Sequence, residues 1–318
     1  GDWSAVQKDE NVITVLEGLK MVSPNTHFEF VDQGWDPRNM SPEKVNEAAE
    51  KAKSADLNIV VAGEYMMRFR WTERTGGEDT DRSDIDLVGL QNELIEKVAA
   101  SGKPTILILI TGRPLGVEKA VEKVNALVQA WEPGMYGGQA IAEILYGKIN
   151  PSAKLPITIP RSVGQIQMIY NHKPSQYFHP YVVTSSEPLY PFGYGLSYTN
   201  YKYDNLQLSD KEISKGENLE VSVDVTNTGK MDGTEIVQLY LRDKFSSVTR
   251  PVKELKDFSR VTLKAGETKT IHFTISPDKL TFLYKNLKPV IESGEFIVMV
   301  GSSSQDKDLL KQSFYVKE

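Results

Sequence analysis

The chain has no cysteine in 318 residues. That excludes a disulfide scaffold, a thiolate nucleophile and any cysteine-ligated metal centre, and it removes the usual clue to redox compartment. Histidine is almost as scarce, with four widely scattered copies, so a histidine-rich metal site is not expected. A basic surplus is also missing. Lys and Arg total 37 against 43 Asp and Glu, a formal charge of −6, which argues against a phosphate-binding surface and therefore against nucleic acid as a partner. Long apolar runs are absent as well. The stretch Thr105–Ile110 is far short of the roughly 20 residues of a membrane span. What remains, 40% hydrophobic and 25% charged, is an ordinary globular composition with enough length for two domains.

Two periodicities divide that length. From Val12 to about Pro160, short β-branched runs alternate with amphipathic stretches, the pattern of strand-helix-strand units and a mostly parallel sheet. Leu57–Ala62, Thr105–Ile110 and Ala126–Ala130 read as buried strands. Ser41-Pro42-Glu43 opens a helix with an N-cap, a first-turn proline and an early acid, and Val45, Ala48, Ala49 and Ala52 give its apolar face. Leu90, Leu94, Ile95 and Val98 stripe a second helix that Gly102-Lys103-Pro104 ends, and Gly137-Gly138 leads into a third with Ile141, Ile144 and Leu145 inward. From about Tyr201 the period changes to two. Leu219–Val225, Ile236–Leu241, Thr270–Ile275 and Phe296–Val300 read as strands of a small antiparallel sandwich. The domains expected are thus residues 1–160, an α/β sandwich domain, and 201–318, an all-β sandwich. Residues 161–200, rich in Pro, Tyr, Ser and His, are expected to form a linker packed on the first domain, with Tyr190, Phe192 and Tyr194 making that contact.

Chemistry is sought in Gly63–Leu87, a connection too long for a simple turn at the carboxyl end of a buried strand, where open α/β sheets place their ligands. It carries Glu64, Glu73, Glu78, Asp79, Asp81, Asp84 and Asp86 among Arg68, Arg70, Arg74 and Arg82, with Trp71 in the middle. An aromatic face beside carboxylates and guanidinium forks suits a polyhydroxylated ligand. The plainer reading is a solvated loop whose ion pairs contribute little. Elsewhere, Gly134–Gly138 lacks the spacing and the lysine of a phosphate loop, and no serine lies in a G-x-S-x-G context. His172 and His179 read as surface residues of the linker.

Longer motifs bear on the choice. Gly147-Lys148-Ile149-Asn150-Pro151-Ser152-Ala153-Lys154-Leu155-Pro156 resembles the G-x-x-N-P-S-G-K-L-P of family 3 glycoside hydrolases, with Ala153 in place of the usual glycine. Leu189-Tyr190-Pro191-Phe192-Gly193-Tyr194-Gly195-Leu196-Ser197-Tyr198-Thr199 matches that family's L-Y-P-F-G-Y-G-L-S-Y-T throughout, and Trp131–Gly134 and Pro160–Ile166 are similar to its pattern. The resemblance implies the carboxyl-terminal part of a β-glucosidase-like enzyme: an α/β sandwich domain with a mostly parallel sheet, followed by a fibronectin type III-like domain expected to be structural. It implies a retaining mechanism in which a carboxylate attacks the anomeric carbon while an acid about 5 to 5.5 Å away protonates the leaving oxygen and then activates water. The nucleophile of the family is an Asp on an amino-terminal (β/α)8 barrel, expected to precede Gly1, so Gly1 reads as an internal position.

Carried onto this chain, the family's acid/base falls on Glu78, before Asp79 and Arg82, with Glu73 of Trp71-Thr72-Glu73-Arg74 as runner-up. Such an acid needs a pKa raised by burial or by the nucleophile's charge. Trp71 and Arg82 are expected as leaving-group-side contacts, although Arg82 could instead hold the loop through an ion pair. The expected substrate is an oligosaccharide or aryl β-glycoside, with terminal β-D-glucosyl or, alternatively, β-xylosyl residues. The expected partner is the barrel, with no cofactor, metal or membrane, and a homodimer is among the assemblies open to it. A periplasmic or secreted location is expected. A non-catalytic carbohydrate-binding or assembly module is the competing reading, and a family 3 phosphorylase or N-acetylglucosaminidase using a barrel histidine is a remoter one.

Overall fold

The computed structural model describes residues 7–65, 72, 74–77, 79–174 and 181–318. They form two compact units, Gly1–Ile149 with Ile159–Ile166, and Asn150–Thr158 with Gln167–Glu318.

In the first unit the elements run α1 (Val15–Val22), α2 (Pro42–Ala52), β1 (Asn58–Gly63), α3 (Gln91–Ala99), β2 (Thr105–Ile110), α4 (Glu118–Val121), β3 (Ala126–Gln129) and α5 (Gly137–Leu145). The three strands make a parallel sheet in the order β1-β2-β3, with Asn58 opposite Thr105, Gly63 opposite Ile110 and Ile106 opposite Ala126. All three expected strands are there, and β2, with Leu107, Ile108 and Leu109 at most 1% exposed, is the buried centre that its apolar run requires, whereas β3, at the sheet edge, is not the buried strand expected: Ala126 is exposed and Leu127, Val128 and Gln129 are half-buried. The Ser41 side chain caps α2 by accepting from Lys44 N–H, and Val45 and Ala52 are buried. Leu94, Ile95 and Val98 bury α3, and Gly102 follows it at φ +75°. On α5 Gly137, Gly138, Ile141 and Ala142 are buried, with Ile144 and Leu145 half-buried rather than fully inward.

Helix α1 had no counterpart in the periodicity reading. Thr14 and Glu17 form a reciprocal capping box that starts it. Glycine fixes where it packs: a Cβ on Gly18 would stand 2.2 Å from the Gly138 carbonyl oxygen, and one on Gly138 2.1 Å from that of Thr14. The two helices therefore meet backbone to backbone. Between α1 and α2, Asp36, nearly buried, accepts from Arg38 N–H, from the Arg38 guanidinium and from Asn39. Chiefly through the bonds from Arg38, its pKa lies below the ordinary carboxylate value.

The second unit contains β4 (Tyr201–Leu208), β5 (Glu212–Ser214), β6 (Leu219–Asn227), β7 (Gly233–Asp243), β8 (Glu254–Leu263), β9 (Thr268–Ile275), a one-turn helix α6 (Pro277–Leu280), the short pair β10 (Phe282–Leu283) and β11 (Pro289–Val290), β12 (Gly294–Gly301) and β13 (Leu309–Lys317). A five-stranded sheet β5-β13-β12-β7-β8 and a three-stranded sheet β4-β6-β9 share one core. Val221, Val223 and Val225 of β6 and Phe273 of β9 meet Val237, Leu239, Val298 and Val300 there. This is the all-β sandwich that the period of two predicts.

Strand β7 breaks its alternation. Gln238 and Tyr240, on the face away from that core, are buried too. They are covered by residues expected to lie in a linker on the first domain. Phe192 stacks on Tyr170 at 4.2 Å, and both pack with Tyr240, Met299 and Leu309. Gln238 Nε2 donates to the carbonyls of Gly193 and Ser302. From Gln167 on, the described part of the expected linker thus belongs to the second unit, and of that linker only residues 161–166 belong to the first. An aromatic outer sheet face is what attracts it. The two long motifs meet in this unit: Leu155 N–H donates to Tyr194 C=O and Gly193 N–H to Leu155 C=O, both at 2.8 Å. Lys154 reaches Glu235 at 3.0 Å, and Tyr203 O–H donates to the same carboxylate at 2.8 Å. Burial raises the Glu235 pKa against the pull of Lys154. These segments act as a clasp of the fold.

Two outcomes follow for the first unit. Gly138→Ala should lower its stability by about 1–3 kcal/mol, because an added methyl must push backbone rather than a side chain, and urea unfolding measures it. Asp36→Ala should cost roughly 1–2 kcal/mol at neutral pH. Because the folded pKa is depressed, that difference is fully present above the unfolded value of about 3.9 and disappears as pH falls through the folded value. Unfolding free energies of the two proteins should differ equally at pH 7 and 5 and by less as the pH is lowered below the unfolded value.

Candidate active site

At the carboxyl end of β1 the backbone is bound by one side chain. The buried amide of Gln91 accepts from Gly63 N–H at 2.7 Å and donates to Gly63 C=O at 2.9 Å. Gly63 lies at φ +151°, and a Cβ there would stand 1.8 Å from Ile110 O, so no other residue lets β1 run so close to β2 at this point. Glu64 N–H then donates to the same Ile110 carbonyl at 3.0 Å, which carries the parallel ladder one residue past the strand.

The Glu64 side chain is 0% exposed and holds three donors. Arg82 Nη1 reaches Oε1 at 2.9 Å, while Arg113 Nε and Thr111 Oγ1 reach Oε2 at 3.1 and 2.9 Å. A buried carboxylate is tolerable only when paired and hydrogen-bonded, and here two guanidinium groups do both. Arg82, with its side chain 10% exposed, also donates through Nη2 to Asp84 Oδ1 at 2.5 Å and to Asp86 C=O at 2.6 Å. Asp84 Oδ1 in turn accepts from Asp86 N–H, and Ile85 C=O accepts from Gly116 N–H at 2.8 Å, with Ile85 and Leu87 buried. The end of the loop is thereby joined to the segment that follows β2.

Its beginning is held separately. Thr75 N–H donates to Tyr65 C=O at 2.8 Å, and Tyr65 N–H donates to Thr75 Oγ1 at 2.9 Å. Arg74, 3% exposed, donates to Thr80 Oγ1 at 2.8 Å. Gly77 and Asp79 both have positive φ, at 109° and 55°, and Thr80 N–H donates to Gly77 C=O. The charges here are therefore not a uniformly solvated run: Glu64, Arg74 and Arg82 are buried or nearly so and engaged, while Asp84 is half exposed.

Trp71, Glu73 and Glu78 lie outside the described residues. Arg82 lies inside them, bound to Glu64, Asp84 and Asp86, the loop-holding arrangement that the sequence left open for it. Three residues that sequence reasoning did not single out also belong to this end of the sheet. Thr111 and Arg113 are polar residues placed directly after the apolar run of β2, and that position was their only signal. Trp35, half exposed, meets Tyr65 with ring centroids 5.3 Å apart, and both line a pocket of about 200 Å³ with Gln33, Met40, Glu64 and Gln91. Just past β3, Trp131 holds φ at +55°, a left-handed conformation uncommon for a bulky residue, and its carbonyl accepts from Thr111 N–H.

Known proteins place this arrangement in a family. Residues 1–198 match the glycosyl hydrolase family 3 C-terminal domain, and residues 235–304 match a fibronectin type III-like domain. A β-xylosidase of Formosa agariphila is 40% identical over 309 residues, covering 96% of this chain and 42% of the relative. A periplasmic β-glucosidase of Salmonella typhimurium is 41% identical over 336 residues, covering 96% and 43%. Among solved structures, a β-glucosidase from Erythrobacter marinus superimposes with a TM-score of 0.89 at 34% identity, covering 96% of this chain and 43% of that one. A Listeria innocua β-glucosidase in complex with glucose gives 0.86 at 33% identity, covering 98% and 43%. This chain thus spans about two-fifths of the length of the relatives it matches. With the family domain matched along residues 1–198 and similarity running along nearly all the rest, the chain belongs to glycosyl hydrolase family 3.

Proposed function

We propose that this chain is the acid/base-bearing, carboxyl-terminal portion of a retaining β-glycosidase that hydrolyses terminal non-reducing β-D-glucosyl residues, and that Glu78 is the acid/base. One observation carries the reading. Both candidate carboxyls, Glu73 and Glu78, fall in sequence between Tyr65 and Arg82, both of them bound at the carboxyl edge of a parallel sheet, in a chain of family 3. A general acid must be kept within hydrogen-bonding reach of the leaving oxygen, so a restrained loop is its natural support. The nucleophilic carboxylate would come from an amino-terminal barrel, which is then the chain's necessary partner. In that partnership the acid gives its proton to the departing aglycone oxygen as the glycosyl bond to the nucleophile forms. The same carboxylate then takes a proton from the water that releases the sugar.

The relatives named β-glucosidase and β-xylosidase support the sugar class, and their two names leave a pentose as the second reading. The periplasmic relative supports a periplasmic or secreted setting. The pocket walled by Trp35 and Tyr65 beside Glu64 gives the aglycone an aromatic neighbour of the kind sugars and aryl groups stack on.

The test joins this chain to the barrel that the mechanism requires and measures aryl β-glucoside and β-xyloside hydrolysis. Glu78→Gln should lower kcat/KM about 10²- to 10⁴-fold on a glucoside with a poor leaving group and far less on an activated one, whose kcat falls instead because release of the sugar has lost its base. Azide should restore turnover of the activated substrate as glucosyl azide, since only the base role is then missing. If Glu73→Gln shows this behaviour instead, the acid is Glu73. A joined protein that binds glucosides without hydrolysing any would establish the binding-module reading.

A further inference from the structure

We propose that Glu64 is a positioning residue for the reaction: its buried carboxylate, holding Arg82 and Arg113 together, fixes the root of the loop that carries the general acid. The inference rests on the function proposed above. Glu64 cannot itself be the acid, because its side chain is 0% exposed and both oxygens already accept from cationic or hydroxyl donors. Its influence has to pass through what it holds. Arg82 is four residues beyond Glu78, so a fixed Arg82 keeps the Glu78 backbone within about 14 Å whatever the intervening chain does. Thr80, two residues beyond Glu78, is held by Arg74, and Thr75, three residues before it, is held by Tyr65. Those bonds form inside the loop or at its start. Among the described residues, only the Glu64 carboxylate joins the far end to the sheet edge by an ion pair, and Arg82 shares that carboxylate with Arg113 from just past β2.

Two cations on one buried anion give this joint its direction. Asp84 adds a second negative charge on Arg82, so the group balances at two positive and two negative charges. Neutralising Glu64 would leave Arg82 and Arg113 close together at a site with little water, and Arg82, with Asp84 still bound, would be free to swing outward. The acid would then be displaced relative to the leaving oxygen, and misplacement by about 1 Å can cost 10²-fold in rate. The defect should therefore fall on proton transfer rather than on binding.

The experiment compares Glu64→Gln, Glu78→Gln and Glu73→Gln in the chain joined to its barrel, on aryl β-glucosides graded by leaving-group pKa, with thermal unfolding followed in parallel. Glu64→Gln should fold, lower kcat/KM about 10- to 100-fold on the poorest leaving groups and change kcat/KM of the most activated substrate by less than about twofold. A merely structural ion pair would instead reduce all substrates by one common factor through loss of folded protein. Arg82→Lys, which keeps the charge but not the fork, is the second variant and should show the same steepened dependence on leaving group. Equal losses across the series in both variants would overturn the proposal, as would failure of both to fold, because it requires displacement of the loop within an intact unit. If neither Glu78→Gln nor Glu73→Gln steepens the dependence, it is the proposed function that fails. If one of them does and Glu64→Gln does not, the positioning role alone is wrong.

Discussion

The first unit is organised around a carboxylate that has no access to water. Glu64 stands one residue past β1, and its two oxygens reach one guanidinium 18 residues later in the chain and another 49 residues later. A buried charge of this kind contributes little net stability, because desolvation offsets most of the attraction. Its consequence is specificity of arrangement. Removing any one partner leaves a buried ion, so the end of β1, the end of β2 and the far end of the loop between β1 and α3 are committed to one geometry. Gln91 imposes the same commitment on the backbone beside it by satisfying both polar groups of Gly63.

How much of this was legible in the sequence depended on range. Strand β2 announces itself because five apolar residues in a row suit a strand buried on both faces, and α2 does so because Ser41-Pro42-Glu43 is a complete start signal. Helix α1 carries an equally complete signal, Thr14-x-x-Glu17, but it is two turns long with a glycine in its middle, which weakens the periodicity that finds helices. That same Gly18 is what allows α5 to approach, so the feature that hid the helix is the one that packs it. In the second unit, Ile236–Leu241 was read as an alternating strand, yet it has Tyr240 on the face that alternation leaves for solvent. A large aromatic there calls for a cover, and Tyr170 with Phe192 supplies it, which is why residues from Gln167 onward belong to the sandwich they precede.

The site was legible as a place and not as a network. Loop length and position at a carboxyl strand end pointed to residues 63–87, and motif resemblance pointed within them to Glu78 and Glu73. Neither route could rank Glu64 above the other acids. Its distinguishing property is enclosure by Thr111, Arg82 and Arg113, and enclosure by residues distant in sequence leaves no local pattern. Arg82 is the reverse case. The sequence left it two roles, a leaving-group contact or a loop-holding ion pair, and its fork is bound to the protein's own acceptors.

Those two residues bear on how a loop can be held exactly in place. A general acid needs sub-ångström placement, which loops supply poorly unless fixed from outside. Here the fixing groups are set in or beside regular structure: Glu64 on the extension of β1, Thr111 and Arg113 on the extension of β2, and Tyr65 beside Glu64. Between the Thr75 bond and the Arg82 fork, Thr80 is tied back to Arg74, and Gly77 and Asp79 turn the chain with positive φ values. Sequence could change within that short span without disturbing either anchor. Change at Glu64 or Arg82 could not be absorbed in the same way, since each anchor serves several segments at once.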